Sequence, residues 1–107
     1  MIDSQIEVLV KQMREFTRTR GFEQTDTPKN LAIALTVEAA ELLEIFQWLG
    51  DGELSELSTE QIYKVKNEIA DVFIYLIAIS DRLKIDLIES SLQKMKINLD
   101  KYPPCKI

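Results

Sequence analysis

The chain of 107 residues contains no histidine, and this absence excludes several kinds of active site. Without histidine there is no Ser-His-Asp or Cys-His catalytic group, and none of the Glu-x-x-His ligand pairs of di-iron centres in helical bundles. The three glycines, at positions 21, 50 and 52, form neither a phosphate-binding loop nor a dinucleotide-binding fingerprint. Any catalytic chemistry must use other groups, and the 18 acidic residues outnumber the 13 basic ones.

Cysteine, basic runs and long apolar segments are also scarce. Cys105 is the single cysteine, so no disulfide within the chain is expected. The longest apolar run contains Asp71 and is shorter than the roughly 20 residues that cross a bilayer, and the N-terminus lacks the features of a signal peptide. A net charge of −5 argues against nucleic-acid polymers and anionic membranes as partners. We predict a cytoplasmic protein.

The composition favours a single all-α domain over residues 1–107. Few glycines and prolines punctuate the chain, and 46% of its residues are hydrophobic. Apolar residues at helical spacing, together with capping signals, predict helices over residues 3–20, 28–49, 59–83 and 87–101. The third helix has more apolar surface than three neighbours in a small monomer would cover. We therefore expect a four-helix bundle-like fold that assembles as a homodimer or homotetramer.

Two acidic motifs lie on the apolar stripes of the second and third predicted helices, Glu38-Ala-Ala-Glu41 and Glu68-Ile-Ala-Asp71. Carboxylates three residues apart share one face of a helix. Asp71 is the only charge in the apolar run 69–79, so we expect this helix, and Asp71 with it, to be buried nearly all round. Ionised carboxylates removed from water cost roughly several kcal/mol each unless a cation compensates. The pattern predicts a metal site.

Ligands that are all oxygen suit hard cations such as Mg²⁺, Mn²⁺ and Ca²⁺, and Mg²⁺ often bridges protein carboxylates to substrate phosphates. The alternative is that the four acids are ordinary helix charges that pair with lysines. Their position on apolar stripes favours the metal, as does the absence of lysine and arginine within one turn of Glu41 or Asp71 on the same helix. The missing histidines argue against a redox metal.

Three further groups are candidates for contacts with a substrate. Lys94, Asn98 and Lys101 share one face of the fourth helix and are suited to phosphate oxygens, although a solvated face is an equal alternative. Trp48, seven residues after Glu41, is placed to stack on a base near the metal or to fill the core. Tyr75 follows Asp71 by one turn and is either a site residue or a core tyrosine.

Together these motifs resemble those of the all-α nucleotide pyrophosphohydrolases of the MazG-like superfamily, with the closest likeness to the dCTP pyrophosphatase branch. The likeness covers about residues 5–103. It rests on the two acidic motifs with Trp48 and Tyr75, on Lys94-Met-Lys-Ile-Asn98, and on Lys101-Tyr102-Pro103. Two ordered acidic motifs with these flanking residues make a specific signal, whereas one Glu-x-x-Glu is a weak one.

The resemblance implies a MazG fold with composite active sites between subunits, and Mg²⁺-dependent hydrolysis of a nucleoside triphosphate to a monophosphate and pyrophosphate, for nucleotide-pool house-cleaning. Mn²⁺ is an expected substitute for Mg²⁺. Glu41 would assist deprotonation of the attacking water. The implied metal ligands are Glu38, Glu41, Glu68 and Asp71. The implied phosphate ligands are Lys94, Asn98 and Lys101, and the implied base and sugar contacts are Phe22, Trp48 and Tyr75.

The sequence departs from the dCTP-preferring pattern around the expected base pocket. Phe22 stands where tryptophan is common, and Asp26 and Met13 stand where histidines are frequent. The expected substrate is therefore dCTP or a modified pyrimidine nucleotide, with dUTP as the alternative within the same superfamily. A function of another class also stays open, namely a helical oligomer that binds a metal or a basic partner without turnover.

Overall fold

The computed structural model describes residues 2–105, which form four α-helices and one short 3-10 helix, with no strand in this range. The helices are α1 (Ile2–Thr19), α2 (Pro28–Phe46), α3 (Thr59–Arg82) and α4 (Leu87–Lys101), and the 3-10 helix is Leu54–Glu56. The all-α prediction is confirmed. Within the described range no helix is both long enough and apolar enough to span a membrane.

The helices α2, α3 and α4 begin at the capping residues that the sequence indicates. Thr27 accepts a hydrogen bond from a backbone N–H of the first turn of α2, directly before Pro28. Ser58 and Gln61 form a capping box, in which each side chain accepts from the other residue's backbone N–H at 3.1 and 2.9 Å. The Asp86 side chain caps α4 by accepting from the backbone N–H of Glu89 at 2.9 Å. These local bonds satisfy N–H groups that have no partner within the helix.

The predicted end of α2 at residue 49 is wrong, because the helix stops at Phe46. The N–H of Leu49 donates to the carbonyl of Phe46 at 3.0 Å, which closes a tight turn. Gly52, with φ of +74°, lies against the Phe46 ring, so closely that a Cβ would stand 2.7 Å from a ring carbon. Trp48 therefore lies in the connection after α2 and not on the helical face of Glu41.

The closest packing in the described chain joins α2 and α3, and α1 packs more loosely against α3. Leu31 of α2 and Ile77 of α3 are the buried apolar residues of the described chain, at 4% and 2% exposed. An ion pair between Arg14 and Asp81 ties α1 to the end of α3. The core is therefore narrow and is centred on the α2–α3 pair.

The fourth helix makes few contacts with the others, and its apolar residues Leu92, Met95 and Leu99 are exposed. Ile69 and Phe73 of α3 are exposed too, so the expectation that α3 is buried nearly all round is wrong for the single chain. Only α1 and α2 pack substantially against it. The radius of gyration is 16.9 Å, whereas a compact chain of this length has about 13 Å.

Candidate metal centre and its adjoining cavities

Three of the predicted carboxylates come together between α2 and α3. One oxygen from each of Glu38, Glu41 and Glu68 lies within 4.8 Å of the others. Glu38 and Glu41 are three residues apart on α2 and share a face, and Glu68 approaches them from α3. The helices run antiparallel, because Glu38 borders the same space as Asp71 while Glu41 borders the same space as Glu68.

Two carboxylate oxygens of the cluster are buried hydrogen-bond acceptors that have no donor among the described residues. The Oε2 atoms of Glu38 and Glu68 are buried, and neither has a hydrogen-bond partner in the described range. A buried acceptor left unpaired costs about 1–3 kcal/mol, and more when it is charged. The pKa of Glu38 is raised to about 7, first by the close approach of the Glu68 carboxylate, then by burial and by Glu41. The cluster thus favours either a shared proton or a cation.

The side chains of the cluster are suitable ligands for a hard divalent cation. All three groups are carboxylates, which are ligands that Mg²⁺ and Mn²⁺ prefer. The alternative of lysine-paired helix charges has no support, because none of the ion pairs found in the described part of the chain involves these three residues. Lys64 lies one turn before Glu68, yet its ammonium is 3.5 Å from Glu60.

Asp71 lies outside this trio. It is exposed in the single chain, so the expectation that it is buried is wrong. The reason is tertiary, because α1 stands away from this part of α3 and leaves a cavity that Asp71 and Glu38 both line. Asp71 as a fourth metal ligand stays a prediction.

We call this space the α1-side cavity; it has a volume of about 560 Å³. Its wall contains the aromatic rings of Phe16 and Phe22, with centroids 6.1 Å apart and planes at 60°. Burial, followed by the charges of Glu38, Asp26 and Asp71, raises the pKa of the Tyr75 hydroxyl. This hydroxyl therefore keeps its proton at neutral pH and is available as a donor. The residues that line this cavity include Gln12, Met13, Phe16, Phe22, Asp26 and Tyr75.

The loop between α1 and α2 forms part of the wall of the α1-side cavity and is held from a distance. Arg82, the last residue of α3, donates from Nη1 to the carbonyl oxygens of Glu23 and Asp26, both at 2.9 Å. Phe22 and Asp26 belong to this loop. Arg82 therefore fixes the backbone that presents them to the cavity.

A second space, which we call the loop-side cavity, lies on the other side of the cluster and has a volume of about 620 Å³. Glu41 and Glu68 line it, and Trp48 stands at its edge with 88% of its surface exposed. The two aromatic residues expected to contact the base thus border different cavities in one chain, Phe22 the α1-side cavity and Trp48 the loop-side cavity.

The phosphate-binding residues expected on α4 line neither cavity within the described chain. The residues concerned are Lys94, Asn98 and Lys101. The Lys101 ammonium lies 5.4 Å from the centre of the Tyr102 ring. Among the described residues that line the two cavities, the one cation is Lys64.

Several residues that line the cavities were not identified from the sequence. Gln12 of the α1-side cavity and Lys64 and Asn67 of the loop-side cavity are polar groups near the cluster. Lys64 and Asn67 lie four and one residues before Glu68, so the helical spacing around that acid was an available signal. Gln12 had none, because its place depends on how α1 packs.

Comparison with known proteins identifies relatives of this chain in sequence and in fold. The human protein named dCTP pyrophosphatase 1 is 42% identical over 91 residues, which cover 83% of this chain and 54% of that protein; the mouse protein of the same name is 37% identical with the same coverage. The chain spans about half the length of these curated relatives. A crystal structure of a pyrophosphatase from Archaeoglobus fulgidus superposes with a TM-score of 0.86, at 44% identity and over 94% of each chain. The model of the MazG-like family matches residues 33–106, and the chain belongs to that family.

Proposed function

We propose that this protein is a Mg²⁺-dependent nucleoside triphosphate pyrophosphohydrolase that converts dCTP, or a modified pyrimidine nucleotide, to the monophosphate and pyrophosphate. The observation that supports this most is the carboxylate trio, with its two buried acceptors that lack donors, in a chain of the MazG-like family. Relatives named dCTP pyrophosphatase and a structural neighbour named pyrophosphatase favour the same reaction. House-cleaning of the nucleotide pool is the proposed role.

Glu38, Glu41 and Glu68 would hold the metal, with Asp71 as the proposed fourth ligand and Mn²⁺ as a substitute for Mg²⁺. When bound, the ion supplies neutralisation of phosphate charge and Lewis acidity. The half-buried pair Glu38 and Glu68 is suited to a structural ligand role, since its buried oxygens have no other partner.

Glu41 is the proposed base. It is the exposed member of the trio and borders the loop-side cavity, so water reaches it from solvent. In the proposed reaction the water oxygen forms a bond to the α-phosphorus while the bond from that phosphorus to the α–β bridging oxygen breaks. The water proton passes to Glu41, and pyrophosphate leaves with the bridging oxygen.

The nucleobase of the substrate would occupy the α1-side cavity, whose lining includes Phe22, Tyr75 and polar side chains near the cluster. Tyr75 would donate its hydroxyl proton to the sugar or phosphate. Trp48 would then contact the nucleotide from the opposite side of the cluster, or the Trp48 of another copy of the chain would contact it.

We further propose a homodimer or homotetramer with composite sites. The exposed apolar residues of α4 favour contact with another copy. In such an assembly Lys94, Asn98 and Lys101 would reach the triphosphate in a neighbouring subunit and would add cations to cavities whose described lining has Lys64 as its one cation.

The test is a product assay by anion-exchange chromatography on the purified protein with Mg²⁺, across canonical and modified ribo- and deoxyribonucleoside triphosphates. We expect equal amounts of monophosphate and pyrophosphate, lost when a chelator is added and regained with Mg²⁺ or Mn²⁺. The same panel ranks dCTP against dUTP. Release of orthophosphate with a diphosphate would contradict the proposed cleavage. Metal binding without turnover of any nucleotide would favour the non-catalytic alternative.

A further inference from the structure

The connection between α2 and α3, residues 47–58, folds around one carboxylate. Glu56 accepts hydrogen bonds from four consecutive backbone N–H groups. Its Oε1 accepts from Gly50 at 2.9 Å, and its Oε2 accepts from Asp51 at 3.1 Å, from Glu53 at 3.0 Å and from Gly52. The Glu56 side chain thus accepts hydrogen bonds from the backbone of the connection to which it belongs.

Successive N–H groups that converge on one point make a concave anion site of the kind called a nest. Here the anion is supplied by the chain. The backbone hydrogen bonds, from Gly50 first and then from Glu53, lower the pKa of Glu56. The carboxylate therefore stays ionised at neutral pH and keeps accepting all four bonds.

This cradle lies directly after Trp48. The exposed indole has little packing to hold it, so its position depends on the backbone at either side. The hydrogen bond from the Leu49 N–H to the Phe46 carbonyl spans Trp48 and fixes the exit from α2. On the C-terminal side the backbone from Gly50 onward is bound to Glu56. Trp48 is thus the residue held between two fixed points.

We propose that Glu56 is a positioning residue that keeps Trp48 at the edge of the loop-side cavity, next to Glu41 and Glu68. The proposal rests on the proposed function insofar as Trp48 contacts the nucleotide. Glu56 itself does not line this cavity. Its loss should therefore weaken substrate binding and leave the chemical step nearly unchanged.

The test uses Glu56→Gln, which keeps the size of the side chain but turns an amide NH₂ toward N–H donors. Trp48 is the only tryptophan, so its time-resolved fluorescence anisotropy reports its mobility directly. We expect faster local motion of the indole with an unchanged helical circular dichroism spectrum. The matched control is Glu15→Gln, which removes the same charge from an exposed carboxylate of α1 that pairs with Arg18 and does not line the loop-side cavity.

The kinetic arm compares KM and kcat in a cycle with Trp48→Ala. Glu56→Gln should raise KM about two- to tenfold, the range expected from losing the ordering of one large side chain, with kcat within about twofold. In the Trp48→Ala background it should add little, because both changes act on the same contact. An effect of Glu56→Gln that is fully additive to that of Trp48→Ala would overturn the proposal.

Unchanged indole mobility in Glu56→Gln would also overturn the proposal. If that variant loses helix, Glu56→Asp, which retracts the carboxylate by one methylene, is measured in the same way and decides by the same criteria. If the wild-type protein hydrolyses no nucleotide, the proposed function fails while the anisotropy comparison still decides whether Glu56 positions Trp48.

Discussion

The two connections that border the carboxylate cluster are held by opposite charges. In the α1–α2 loop a cation, Arg82, donates to the carbonyl oxygens of Glu23 and Asp26. In the α2–α3 connection an anion, Glu56, accepts from backbone N–H groups. The cation binds backbone carbonyl oxygens and the anion binds backbone N–H groups. The α1–α2 loop therefore turns carbonyls toward Arg82, and the α2–α3 connection turns N–H groups toward Glu56.

The two connections also differ in the sequence separation between the charged residue and the backbone groups that it binds. Arg82 is 59 and 56 residues from its two partners, whereas Glu56 is 3 to 6 residues from its own. Closing a short loop costs less conformational entropy than closing a long one. The connection beside the loop-side cavity is therefore a local structure, while the loop beside the α1-side cavity depends on the packing of the whole fold.

The largest effect is expected where the two cavities meet, at the cluster. Glu41→Gln should lower kcat by about 10²–10⁴-fold if Glu41 is the base. Because Glu41 is exposed, the free energy of unfolding should change by no more than about 0.5 kcal/mol. Kinetics with Mg²⁺ and a urea titration measure both. Activity near that of the wild type would reject Glu41 as the base.

Aromatic truncation on the two sides should separate the cavities. Phe22→Ala should raise KM about tenfold, the lower end of what loss of base stacking produces, and should change the ranking of pyrimidines, since Gln12 and Asp26 line the same cavity. Trp48→Ala should raise KM for all bases alike. The assay is the nucleotide panel applied to both variants. An identical change of ranking in both would contradict the separate roles.

Breaking the long-range contact should have a smaller effect on stability. Arg82→Gln removes two hydrogen bonds to loop carbonyls and should lower the free energy of unfolding by about 1 kcal/mol, with a KM increase of a few-fold. Chemical denaturation and kinetics are the measurements. The control is Arg18→Gln, whose guanidinium pairs locally with Glu15. Equal effects of the two variants would show that Arg82 has no special role in the loop.

The pH dependence of stability has opposite signs at the carboxylate cluster and at the α2–α3 connection. The pKa of Glu38 is about 7 in the folded chain against an ordinary value of 4.5. Without metal, the folded state binds more protons between these values, so its free energy of unfolding falls as pH rises from 4.5 to 7. Glu56, with a lowered pKa, contributes stability above its ordinary value that is lost as pH falls through the folded pKa.

Denaturation midpoints between pH 4.5 and 7.5 in a chelator check this sign. Glu38→Gln should flatten the decline, and Mg²⁺ should oppose it because a cation replaces the proton. A Glu38→Gln variant whose free energy of unfolding varies with pH as that of the wild type does, in the chelator, would contradict the assigned direction for Glu38.

The sequence was a good guide where structure is local. The caps at Thr27, Ser58 and Asp86 mark helix starts because their bonds reach only three residues. The trio was predictable because helical spacing places Glu38 and Glu41 on one face. Both predictions needed only the geometry of one or two helices.

What the sequence did not reveal depends on contacts between elements. Asp71 is exposed because α1 stands away from α3, a choice of packing that no residue of α3 signals by itself. The early end of α2 follows from Gly52 lying against Phe46 and from Glu56 further along. The separation of α4 from the cluster has the same origin, since helical spacing does not say which helices touch.

The narrow core has a consequence for how the protein responds to dilution. With Leu31 and Ile77 as its buried apolar residues, the described chain has little interior of its own to resist unfolding. If other copies cover its exposed apolar faces, folding and association become one equilibrium governed by mass action. The thermal midpoint would then rise with protein concentration, and the number of molecules per volume would help determine whether each one is folded.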